Sequence, residues 1–65
     1  MEEKLLRHLL NEFRDKEKSL QLSLGDGAAT DYAAYQNMCG QIKGLVYAQS
    51  IVNDLLRKME QINDE

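Results

Sequence analysis

Sixty-five residues hold one domain at most, in a size range where a lone core supplies roughly 3–5 kcal/mol of stability. One cysteine, Cys39, cannot close an internal disulfide, and one Cys with one His cannot build a four-ligand zinc site. Of the usual remedies for small size, oligomerisation is left. The net charge of −3 argues against generic nucleic-acid binding, which draws on a basic excess.

The absence of proline, with 43% hydrophobic and 29% charged residues, suits helices rather than a disordered tail. No apolar run approaches the roughly 18 residues of a membrane span. The opening Met1-Glu2-Glu3-Lys4 is acidic and leads into an amphipathic pattern, so no secretory signal is expected. A single unpaired cysteine fits a reducing compartment. The expectation is a complete, intracellular, soluble small protein.

From about Glu2 to Leu24, the residues Leu6, Leu9, Leu10, Phe13, Leu20 and Leu24 fall on one arc about 100° wide when wound as a helix. Glu2 and Glu3 sit where the helix dipole favours negative charge, and Glu3–Arg7 and Glu12–Lys16 have favourable i,i+4 order. Ser19 to Leu24 alternates with period two, yet a single short strand would have nothing to pair with, so this stretch is read as helix. Gly25-Asp26-Gly27 is the one strong breaker, and the turn is placed at about 25–30. Thr30 or Asp31 can cap a second helix running from Asp31 to about Asn63, and acidic residues at its C-terminus predict fraying there.

This second helix carries two apolar stripes. The first is Tyr35, Met38, Ile42, Leu45, Gln49, Val52, Leu56 and Met59, in 3-4 alternation; Gln49 is its one polar member and can fix register if it lies in a seam. The second is Gly40, Gly44, Ala48, Ile51, Leu55 and Ile62. One helical partner buries one stripe. Gly40, Gly44 and Ala48 form a small ridge, and two glycines inside a helix cost about 1 kcal/mol each relative to alanine, so a close contact, from Phe13 or from a partner, is expected over it. The polar neighbours Gln41, Lys43, Gln49 and Ser50 exclude the membrane-dimer reading of this spacing.

The resulting fold class is all-α: an antiparallel two-helix hairpin spanning 1–65, with helix two the longer, assembling into a four-helix-bundle dimer or higher oligomer. A tight reversal pairs residues whose numbers sum to about 55. Leu20 then faces Tyr35, Phe13 faces Ile42, Leu9 and Leu10 lie near Leu45, and Met1 is level with Asp54. Leu55, Leu56, Met59 and Ile62 project beyond helix one, and together with Ala48, Ile51 and Val52 they form the expected oligomer or partner interface.

Lys4, Arg7, Asn11, Arg14 and Lys18 align as a basic strip on helix one, a solvated face by default and otherwise a contact for an acidic partner. Four cations without interleaved aromatics make a weak nucleic-acid platform. His8 falls on the polar side, Cys39 reads as a small half-buried hydrophobe, and Tyr35 as core with its hydroxyl at the rim. No phosphate loop, carboxylate dyad or metal motif is present, so no catalytic residue, metal or cofactor is expected.

Asp31-Tyr32-Ala33-Ala34-Tyr35, followed by Gly40-Gln41-Ile42-Lys43-Gly44-Leu45 and Ala48, resembles a pattern in short proteins of tailed bacteriophages: D-Y-x-x-Y, then G-x-I-x-G-L-x-x-A, then an aliphatic, acidic helix. The resemblance covers Asp31 to Leu56; helix one matches only in being amphipathic. It carries no assigned activity. It implies a phage-encoded protein, made with the head and tail structural genes. Two functions follow as expectations, a virion or assembly accessory or a small protein that binds and inhibits a host protein, with a nucleic-acid-associated factor using the basic strip as the weaker third. Its partners would be itself and a phage structural or host protein, in the infected cytoplasm or the virion, with no membrane role.

Overall fold

The computed structural model describes the backbone of residues 3–63 and the side chains of residues 3–61. Two helices, α1 (Glu3–Gly25) and α2 (Tyr32–Asn63), fold back on each other as an antiparallel hairpin. The Ser19–Leu24 stretch is helical: its leucines gain more from one continuous ladder than from a strand with no neighbour.

The ends of the helices are set by identifiable chemistry. At the close of α1, the Ala28 N–H donates to the Ser23 carbonyl at 3.0 Å and the Gly27 N–H to the Leu24 carbonyl at 3.2 Å. This crossed pair is a Schellman motif with Gly27 as its left-handed residue, at φ 87°. Gly27, rather than Gly25, is therefore the glycine that the backbone requires. Asp31 is the cap of α2: its Oδ1 accepts from the Ala34 N–H at 2.8 Å, and its carbonyl accepts from the Tyr35 N–H at 3.0 Å.

The core is small. Leu6 and Leu10 of α1 bury against Val52 and Leu56 of α2, with Phe13 and Met59 packed on the cluster. Higher in the seam, Gln49 Nε2 donates to Glu17 Oε1 at 2.7 Å, and at the open end Arg7 Nη2 donates to Glu60 Oε1 at 3.2 Å. The first stripe of α2 thus faces α1 from Ile42 to Met59, half-buried or buried throughout.

This register corrects the one drawn from a tight turn. That reading would set Glu17 opposite Met38 and Arg7 opposite Ala48; the helices are instead displaced by about three helical turns. The pairings of Phe13 with Ile42, Leu20 with Tyr35 and Leu9 and Leu10 with Leu45 give way accordingly, and Met1 lies outside the described residues. After the Schellman turn the chain from Ala28 to Asp31 runs onward before reversing, so the six connecting residues act as a riser. Six extended residues can span about 20 Å, ample for the climb.

The projecting segment consequently changes ends. Leu56 is a core residue at 5% exposure, and Met59 is half-buried against that core, so neither overhangs. What extends past α1 is the start of α2, where Tyr35 is 46% exposed rather than part of the core and stacks on Tyr32 with ring centroids 6.4 Å apart. A hydrogen bond with the Cys39 side chain, the largest cause, holds the Tyr35 phenol above its ordinary pKa.

The displaced register makes a direct prediction. Leu56→Ala should destabilise the chain by about 2–4 kcal/mol in urea denaturation, as removal of a core leucine does, while Leu22→Ala at 62% exposure should cost less than about 0.5 kcal/mol. Equal effects would place Leu56 outside the core.

Candidate interaction surfaces

The hairpin has two faces, one on each side of its seam, and they differ in chemistry. Wound at about 100° per residue, Leu5 and Leu9 of α1 and Gly40, Gly44, Ala48, Ile51 and Leu55 of α2 fall on the same side. Leu5, Leu9, Ile51 and Leu55 are 58%, 38%, 47% and 44% exposed. These are large side chains left open in a chain whose core is four residues; Glu12 and Lys16 of α1 border them on this side, and one exposed apolar residue, Val46, falls on the other.

The interface expected from sequence is therefore divided. Ile51 and Leu55 remain available on the apolar face with Ala48 beside them, half-buried, whereas Val52 and Leu56 are consumed by the intrachain core and Met59 packs on it. The Ile62 side chain lies outside the described residues. Leu5 was not anticipated as a surface residue of interest, and Leu9 was assigned to the buried arc. Their place beside the second stripe of α2 could be found only by deciding which side of the seam each helix turns outward.

Within the chain the glycine ridge is open, against the expectation that Phe13 covers it. A Cβ built at Gly40 or Gly44 meets nothing within 4 Å, so neither Phe13 nor any other group of the chain fills the ridge. The glycines continue the apolar face as a shallow, open track.

The other face is polar. A groove of about 250 Å³ follows the seam, with Leu10 and Leu56 at its base and Arg7, Arg14, Asn53, Arg57 and Glu60 along it. Arg7 is shared between Glu3 at 3.3 Å and Glu60 at 3.2 Å. Among the described residues neither Arg14 nor Arg57 is paired with a carboxylate. The basic strip read from α1 is thus split: Arg7 and Arg14 line this groove and Lys4 and Lys18 do not. Arg57 comes from the other helix, and it joins them because the register brings the last turns of α2 alongside the start of α1.

Two further candidates, His8 and Cys39, stand apart from these groups. The His8 imidazole, 73% exposed, lies 3.8 Å from Glu12 on the surface. Cys39 is half-buried beside Tyr35. Among the described residues no group of three His, Cys, Asp or Glu side chains could hold a metal ion, and no helix is long and apolar enough to cross a membrane.

The contrast between glycines gives a test. In the unassociated chain Gly40→Ala and Gly44→Ala should each raise stability by up to about 1 kcal/mol, because alanine favours helix and meets no neighbour. Gly27→Ala should lower it by about 1–2 kcal/mol, because its φ is left-handed. Thermal melts of the three variants check both signs. Neither a protein-family model, nor a curated protein, nor a solved structure matches the chain.

Proposed function

We propose that the chain is a non-enzymatic helical interaction module that associates with a second copy of itself through the apolar face of Leu5, Leu9, Ile51 and Leu55. The observation that carries the reading is a surplus of surface. The chain exposes 5096 Å², whereas a compact monomer of its 7.5 kDa mass would expose about 4,250 Å². The excess of roughly 800 Å² accompanies an elongated shape of 52 × 15 × 15 Å, which a second hairpin packed alongside would thicken toward a compact one. Two hairpins stacked on this face would form a four-helix bundle, and the open glycine track would let helices approach closely along part of it.

The resemblance of Asp31–Leu56 to short phage proteins supports a setting: an accessory of a phage particle, acting in the infected cytoplasm or within the virion. Inhibition of a host protein by the same face is the second reading, favoured by the exposure of large apolar side chains to any complementary helix.

Light scattering coupled to size exclusion tests the reading. At about 100 µM the native chain should elute with a dimer's mass or greater, and Ile51→Lys combined with Leu55→Lys should return it to a monomer that keeps its helical circular dichroism. A helical native monomer at that concentration would overturn self-association. Recovery of the chain from purified virions by mass spectrometry would support the particle setting, and its absence there would favour the host-directed reading.

A further inference from the structure

The polar groove lies on the opposite side of the seam from the proposed self-association face, and its charge is out of keeping with the rest of the molecule. The chain as a whole is acidic, at −3. Yet three arginines from two helices line one groove with a single carboxylate among them, and that carboxylate is occupied by Arg7. Among the described residues two guanidiniums, Arg14 and Arg57, have no carboxylate partner. Guanidinium is the cation whose planar fork matches an oxyanion with two parallel hydrogen bonds.

We propose that this groove binds carboxylate side chains of an acidic segment in another protein, with Arg14 and Arg57 as the two anchoring groups. The surroundings distinguish this occupant from nucleic acid. Leu10 and Leu56 at the base are each only 5% exposed, so what the groove offers a partner is its guanidinium donors. Glu60 at one end adds repulsion toward a polyanion of dense charge. The three tyrosines lie on α2 at positions 32, 35 and 47 and none lines the groove, so no stacking platform accompanies the arginines. A peptide of interspersed carboxylates satisfies the fork donors without the dense charge of a polyanion.

The groove also contains a natural restraint. Glu60 lies against Arg7 at 3.2 Å and competes with any incoming carboxylate for that guanidinium. Removing it should strengthen binding, an effect opposite in sign to removal of Arg14 or Arg57.

Fluorescence anisotropy with a labelled peptide of alternating glutamate and serine, at low salt, tests the proposal on the full chain. Arg14→Gln combined with Arg57→Gln should weaken binding by about 10-fold or more, since two charge-assisted contacts are lost. Lys4→Gln with Lys18→Gln, the same change in charge on residues that do not line the groove, should weaken it by less than about 3-fold, the scale of long-range attraction. Glu60→Gln should tighten binding several-fold, while Glu12→Gln, which changes the net charge equally from outside the groove, should not. Circular dichroism confirms that each variant stays helical; all of these side chains are exposed. No binding by the native chain, equal losses for the arginine and lysine pairs, or tighter binding of a single-stranded oligonucleotide than of the peptide would each overturn the proposal.

Discussion

The hydrogen bond from Gln49 to Glu17, 2.7 Å long and half-buried in the seam, sets the alignment on which the other features of the hairpin depend. The stripe of α2 that faces α1 has one polar member between Ile42 and Met59. The facing stripe of α1, from Leu6 to Leu24, also has one, Glu17. Aligning them satisfies both. In the register of a tight turn Gln49 would lie against Leu6 and Glu17 against Met38, leaving two polar groups partly desolvated without partners, at up to about 1–3 kcal/mol each. For a domain whose whole stability is of a few kcal/mol, that difference decides. A seam amide that fixes register is a known device of paired helices.

From this alignment the two faces follow. Because α1 lies against the C-terminal two-thirds of α2, Leu6 and Leu10 meet Val52 and Leu56, and Arg7 reaches Glu60. The same placement sets Leu9 near the level of Leu55 on one side of the seam, and brings Arg57 alongside Arg7 and Arg14 on the other. An apolar strip and an arginine groove on opposite sides keep the two proposed contacts, with a copy of the chain and with an acidic segment, from competing for one surface. The start of α2, with its stacked Tyr32 and Tyr35, is what the alignment leaves over.

The elements were legible in the sequence: the 3.6-residue periodicity of each helix, the Gly25-Asp26-Gly27 break, the cap at Asp31 and the i,i+4 pair Glu3–Arg7 all correspond to features of the fold. The register was not, for a specific physical reason. A slip of about three turns returns a helix to almost the same orientation, so the stripes point at each other in either alignment. Periodicity is blind to that difference, and the length of the connecting segment permits both, since a Schellman turn followed by extended residues can climb as readily as reverse. Everything that hinged on axial position was therefore misplaced: the overhang at Leu56 and Met59, the approach of Phe13 to the Gly40–Gly44 ridge, and the absence of Arg57 from the basic set. The available signal was the one polar residue in each stripe, Glu17 and Gln49, and matching them would have given the alignment.

Methyl–methyl nuclear Overhauser contacts within one chain, isolated by isotope filtering from contacts between chains, measure the alignment directly. The account predicts strong contacts from the Leu6 and Leu10 methyls to those of Val52 and Leu56. Contacts from Leu10 to Leu45 in their place, with Leu56 free of α1, would contradict it.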